Sequence, residues 1–345
     1  MFAARKFRAW SALMAKAKRI KGLDCNSAAD AGMKLVLVTR FEEMCGFRGE
    51  ALNWADPEGV HSMRVASRRL RGALRDFVPY LRKRGLTSVE KQLKDIADAL
   101  GEVRDHDVAI LALEKIEMHA PPQFSEALKQ FIAARKDLRQ QARKELKLIL
   151  KKTSLKELES DFIVGVDKAT TAQQRKTERT QSSSFTFLKM AKAIILDRLK
   201  ELEKLSDGLF KPFDVDALHE MRIAAKRLRY AVEMFQQCWR HSLGTYAKST
   251  ARMQSALGEL HDCDVWIESL GKDIADARKH KQENHVAALV WLVNHFVKLR
   301  TRHLRHAVTR WLEWETQDAT NKLRAALHSE QRNAISSAKK HMKHK

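Results

Sequence analysis

Proline and glycine are scarce in this chain, 5 and 13 among 345 residues. That leaves little material for the turns of an all-β domain. Long apolar runs are missing as well. The longest, VAALVWLV from Val286, falls well short of the roughly eighteen residues a membrane span needs. The four cysteines, Cys25, Cys45, Cys238 and Cys263, are never spaced as CxxC, so free thiols in a reducing cytoplasm are expected. Only 3 tyrosines occur, and the 7 tryptophans stand among apolar neighbours. They read as core anchors, not as platforms for stacking bases. Acids are also under-represented: 43 Asp and Glu face 65 Lys and Arg, a net charge of +22. A surplus of that size favours an anionic partner such as nucleic acid, a membrane surface or an inorganic polyanion. The opening segment, MFAARKFRAWSALMAKAKRIKG, has no acid before Asp24. It lacks a secretory apolar region and cleavage site, and is expected to be a basic tail or an amphipathic first helix.

What the chain has in abundance is Ala, Leu, Lys, Arg, Glu and Gln, the strong helix formers. Its apolar residues recur at three and four rather than two, so the fold class expected is all-α. An internal repeat organises it. HSMRVASRRLR (His61 to Arg71) returns as HEMRIAAKRLR (His219 to Arg229), an offset of 158. LGEVRDHDV (Leu100 to Val108) returns as LGELHDCDV (Leu257 to Val265), an offset of 157. Two motifs recurring at nearly one offset indicate a duplicated helical unit. The segment 167–184 is polar, without a clear apolar stripe, and is read as the link between copies. The chain from about Asn321 is basic, ends KKHMKHK, and is expected to be loose. Asp56 before Pro57, and Asp214 in the second copy, mark helix starts. The motif helices should run from Pro57 to about Val78 and from Val215 to about Trp239.

A helix turns about 100° per residue. With His61 at zero, Arg64, Arg68, Arg71 and Arg75 fall between about 280° and 340°, on one face. Met63, Ala66, Leu70, Ala73, Leu74 and Phe77 form the opposite, buried stripe. In the second copy His219, Arg222, Lys226 and Arg229 oppose Met221, Ala224, Leu228, Ala231, Val232 and Phe235. Glu233 stands where Arg75 would, which shortens that strip. Like charges at i,i+4 cost a helix a few tenths of a kcal/mol per pair. Leaving them uncompensated on both copies suggests that anions arrive from elsewhere. Arginine suits that role because its planar fork grips two phosphate oxygens. His61 and His219 add hydrogen bonds, or charge when an anion raises their pKa. Arg69 and Arg227 lie off the strip and are expected to pair with acids of their own unit. Asp105, Asp107, Asp262 and Asp264 sit among arginines and are expected in structural ion pairs. A zinc pair of His261 and Cys263 lacks further ligands, so no metal site is expected.

HSMRVASRRLRGAL with LGEVRDHDV, and HEMRIAAKRLRYAV with LGELHDCDV, together resemble the CHAD family, the conserved histidine α-helical domain. The resemblance covers roughly Asp30 to Glu315. It implies two four-helix bundles related by a pseudo-twofold axis, with the motif helices lining a central basic groove that binds inorganic polyphosphate at polyphosphate-rich bodies. The domains are then a basic N-terminal extension over 1–29 and a CHAD domain over 30–315. Within the latter, repeat one is about 30–165, the link about 167–184 and repeat two about 185–315. A basic tail covers 316–345. The implied groove residues are His61, Arg64, Arg68, Arg71, His219, Arg222, Lys226 and Arg229. Arg75, Lys94, Arg104 and Arg252 are secondary anion-binding candidates. The second copy departs from the family pattern at His261, where arginine is expected. Some members carry a triphosphatase domain marked by Glu-x-Glu-x-Lys; here the nearest string, Glu201 to Leu205, puts leucine at the lysine position. The expectation is therefore a non-catalytic, cytoplasmic polyphosphate-binding protein without cofactor or membrane partner. One rival is nonspecific DNA or RNA binding, helped by basic tails that supply +7 over Met1 to Lys21 and +6 over Lys322 to Lys345. The other is a metal-dependent hydrolase of phosphate polymers.

Overall fold

The computed structural model describes residues 17–81, 86–180, 185–239 and 242–328. Among them no strand occurs, and one isolated antiparallel bridge joins Ala28 to Thr186. The all-α expectation holds. The helices are α1 (Ala29–Gly46), α2 (Arg48–Ala51), α3 (Glu58–Phe77), α4 (Thr87–Glu117), α5 (Pro122–Ile149), α6 (Lys152–Thr180), α7 (Phe187–Leu205), α8 (Val215–Phe235), α9 (Gly244–Lys279) and α10 (Glu283–Thr316). No described helix is long and apolar enough to cross a membrane. The chain divides into two compact units, Met1–Phe187 and Leu188–Lys345.

In the first unit α1 packs on α3 and α6, α3 on α4, and α4 on α5. The stripe read from α3 is the core: Met63, Ala66, Leu70, Ala73, Leu74 and Phe77 are all buried. Asp56 opens α3 by accepting a hydrogen bond from the Glu58 amide at 2.9 Å. The α-helix closes at Phe77, and Val78–Tyr80, with Pro79, adds a 3-10 turn. The expected link over 167–184 is different in kind: α6 continues to Thr180. Leu155, Leu158, Phe162, Val166 and Ala169 recur at helical spacing and are buried, and Phe162 stacks on Phe41 of α1 at 4.5 Å. A buried stripe that reaches Ala169, followed by strong helix formers, carries the helix through the polar segment.

In the second unit α8 packs on α9, and α9 on α10. Asp214 caps α8, accepting from the Ala217 amide at 3.0 Å. The apolar stripe of α8, from Met221 to Phe235, is buried as read, and the helix passes into a 3-10 turn over Gln236–Trp239. Two expectations about the ends change. Ile20 is buried, and Arg40 donates to the Lys18 carbonyl at 3.0 Å, so part of the expected basic extension packs on α1. Residues 319–328 are helical, with Leu323 and Leu327 buried. Residues 1–16 and 329–345 lie outside the described residues. The cysteine expectation is also corrected: Cys25 and Cys238 are disulfide-bonded, whereas Cys45 and Cys263 are free.

Two predictions follow the packing. A Cβ on Gly59 would lie 2.0 Å from the Glu50 carbonyl oxygen, a backbone atom, whereas one on Gly101 would meet nothing closer than 3.8 Å. Gly59→Ala therefore lowers the urea midpoint, by about 1–3 kcal/mol of stability, and Gly101→Ala raises it by up to about 1 kcal/mol; equal effects would contradict the packing. Denatured without reductant, the chain should show two titratable thiols, rising to four after reduction. Four at the outset would remove the disulfide.

Candidate functional site

The first unit is built around where its acids go. Glu43 on α1 is almost fully buried and lies between Arg40, at 2.5 Å, and Arg69 of α3, at 3.5 Å. Asp107 on α4 is buried and faces Arg139 and Arg143 of α5 at 3.3 and 3.5 Å. Both acids are thereby committed to holding helices together, as expected for structural ion pairs. Arg69 finds an acid of its own unit, also as expected.

The motif face of α3 is left as a basic strip. His61, Arg64, Arg68, Arg71 and Arg75 are all partly exposed. Arg64 reaches the exposed Asp105 at 3.1 Å, and Arg75 the buried Asp76 at 3.3 Å. Arg68 and Arg71 make no ion pair or hydrogen bond among the described residues. The Nε of Arg68 and the Nδ1 of His61 are buried atoms without a hydrogen-bond partner, a condition that commonly marks a missing ligand or water. Arg104 of α4 is nearly buried, 3.7 Å from Glu58. Burial, then the charges of Arg104, Arg68 and Arg64, pull His61 down from 6.5 to about 4. The ring is neutral at physiological pH because its neighbours already crowd the site with positive charge. Gly101 lies against the Arg64 side chain, which ties the LGE motif physically to the HxxR motif.

The second unit repeats several of these arrangements with different residues. Arg198 and Arg227 both pair with Glu201, so Arg227, like Arg69, is held off the strip. Asp264 accepts from Arg300 of α10 at 2.5 Å. Gly258 lies against Arg222. His219, Arg222 and Lys226 are partly exposed along α8. His261, which stands where the family pattern has arginine, brings its Nδ1 to 3.3 Å from that of His219. Burial, then the charges of Arg222 and His219, lower His261 to about 4. Arg229 differs from its assignment to the strip. It is buried, donates to Glu233 at 2.7 Å and to Gln254 at 2.6 Å, and its guanidinium is satisfied within the unit. The secondary candidates Lys94 and Arg252 are exposed and make no ion pair among the described residues. Cys263 is buried and its thiol is pushed up to about 12, first by burial. Among the described residues no group of three metal-ligating side chains includes His261 or Cys263.

The sequence did not point to His261 as a partner of the motif histidine. The available signal was spacing: Arg104 follows His61 by 43 residues, and His261 follows His219 by 42. Both positions sit beside their histidine, one as a guanidinium and one as an imidazole.

The lowered histidines set a pH dependence. Between about 6.5 and 4 the unfolded chain takes up protons that His61 and His261 in the folded chain refuse. Their contribution to stability is fully present above about 6.5 and is lost as pH falls toward 4. The urea midpoint should drop between pH 7 and pH 5, and the drop should be shallower in the His61→Asn/His261→Asn double variant. An unchanged drop would assign the effect to other groups.

The CHAD domain family model matches residues 36–271. Among solved structures, the chain is similar to the CHAD domain from the plant Ricinus communis at 20% identity and a TM-score of 0.58, covering 90% of this chain and 95% of that one. It is similar to PptA from Streptomyces chartreusis at 13% identity and a TM-score of 0.58, covering 83% and 100% respectively. No curated protein matches. The matched span contains both HxxR motif helices and both LGE motifs, and the chain belongs to the CHAD domain family.

Proposed function

We propose that the chain binds inorganic polyphosphate through the basic strips of α3 and α8. The observation that carries this reading is the state of Arg68 and Arg71. Two guanidinium groups share a partly exposed helix face with no acid paired to them among the described residues, while Glu43 and Asp107 are committed elsewhere. Phosphate oxygens are the natural complement, since the guanidinium fork takes two at once. His61, Arg64, His219, Arg222 and Lys226 extend the contacts. Arg229 contributes through helix packing, and Arg104 through its position beside His61.

Binding of this kind is electrostatic. By analogy with nucleic-acid phosphates, each arginine that displaces a counterion adds to the salt dependence of affinity. The reading includes no catalysis: Asp107 and Asp264 are engaged by arginines of their own unit, and Asp105 is exposed beside Arg64.

The test is a competition on the full chain at physiological salt. Labelled long-chain polyphosphate is displaced by unlabelled polyphosphate, single-stranded DNA or heparin, matched for charge. Polyphosphate should compete best. Arg68→Ala/Arg71→Ala should lower the slope of log affinity against log salt by about 2, and removing residues 329–345 should change it far less. Equal competition by all three polyanions would replace this reading with a general cationic surface that also holds nucleic acid. Phosphate released from the polymer on addition of magnesium would replace it with hydrolysis.

A further inference from the structure

The second unit carries a side-chain cluster that the anion strip does not use. Glu259 stands on α9, one residue after the glycine against which Arg222 lies. His303 and His306 stand on α10, three residues apart and so on one face. The pairing of α9 with α10 fixes how these residues meet. Trp266 stacks on Phe296 at 4.8 Å, and Arg300 grips Asp264 at 2.5 Å. That register sets Glu259 opposite His303. Each of the three residues offers a ligand atom within 4.8 Å of the others. His303 Nδ1 approaches Glu259 Oε2 to 3.1 Å, but it is a buried atom that makes no hydrogen bond. The nitrogen is thus held against the carboxylate without being used by it.

We propose that Glu259, His303 and His306 form a binding site for a divalent transition metal, with zinc the best match. Two imidazole nitrogens and one carboxylate oxygen are a zinc donor set, and three protein ligands leave a position for water or an anion oxygen. Magnesium and calcium are disfavoured because they select all-oxygen shells. Glu259 and His306 are exposed and His303 is partly so, which gives the ion a way in. The ligand atoms need only side-chain rotation to close around it, since both helices are held by the contacts named above. The exposed Arg302 and Arg305 on the same helix oppose a cation, and long arginine stems let their charge stay in water. The site belongs to the second unit alone. At an offset of 157, Glu102 answers to Glu259, but Leu146 and Ile149 answer to His303 and His306, and Leu146 is buried.

Zinc chloride titrated into the full chain by calorimetry, in a phosphate-free buffer, tests this. We expect one zinc per chain at this site, with affinity weakened at least about 100-fold in His306→Ala and in Glu259→Gln, and unchanged in His119→Ala. Loading with cobalt(II) should give visible d–d bands, lost in both site variants, without thiolate-to-cobalt charge transfer from Cys45 or Cys263. Glu259→Gln keeps the shape of the side chain, so it remains informative if His306→Ala unfolds. Zinc binding that is equal in the wild type and both variants, or a cobalt spectrum dominated by thiolate, would overturn the proposal and leave Glu259 and His303 as an ion pair only. Neither result depends on whether the strips bind polyphosphate.

Discussion

Glu43 is the residue on which the basic strip of the first unit depends. Its buried carboxylate lies between Arg40 of its own helix and Arg69 of α3. Removing one member of a buried charge cluster leaves an uncompensated charge and costs several kcal/mol, so α1 and α3 are locked in rotation relative to one another. That lock decides which face of α3 looks outward. With Arg69 turned toward Glu43, Arg64, Arg68, Arg71 and Arg75 are turned away from α1. Glu201 repeats the arrangement with Arg198 and Arg227, at an offset of 158 for all three residues. The acids therefore do two things at once. They hold the bundles together, and they are removed from the list of groups able to quench the strip.

The two strips are not equivalent, and single residues account for the difference. Glu233 stands where Arg75 stands in the first copy. One turn above Arg229 on α8, it takes that guanidinium at 2.7 Å, and Gln254 of α9 takes the other side. Arg71, with arginine rather than glutamate one turn on, has no such partner. A single charge reversal thus shortens the strip by two residues rather than one. At the other end, Arg104 is exchanged for His261. In the first unit a fixed guanidinium crowds His61; in the second, a neutral imidazole lies against His219. The first strip has the higher permanent charge, and the second has two imidazoles in contact.

Much of this was legible in the sequence because it rests on helical geometry, which is local. The buried stripes of α3 and α8 and the exclusion of Arg69 and Arg227 from the strip follow from 100° steps, and the helix starts at Asp56 and Asp214 follow from the side-chain preferences of the first turn. What escaped depends on contacts between helices. The sequence does not show that Asp107 meets Arg139 and Arg143, or that Gln254 meets Arg229, because those pairs are set by register between neighbours. The polar segment 167–184 reads by composition as a link. Burial of Val166 and Ala169 carried the helix past it, which is a tertiary effect overriding a weak local signal.

Histidine is the clearest case of a residue whose meaning is settled by surroundings rather than by motif. His61 is held neutral first by burial and then by four arginines, Arg104, Arg68, Arg64 and Arg69. Its Nδ1 is a buried atom without a hydrogen-bond partner, and under the proposed function it is free to bond to an anion held by those arginines. His303 also has an unpartnered buried Nδ1, but what lies 3.1 Å away is a carboxylate. The same unpartnered atom faces guanidinium charge in one place and a carboxylate in the other, and the sign of its surroundings is set by the residues across the helix–helix seam. In the second unit both kinds of seam are made by α9. Its Gly258 lies against the arginine of the strip, and the next residue, Glu259, turns to the histidines of α10. The LGE motif is therefore a branch point in the charge pattern. Its glycine leaves room for the Arg222 side chain, and its glutamate, unlike Glu43 or Asp107, is exposed and lies 3.1 Å from His303 of α10.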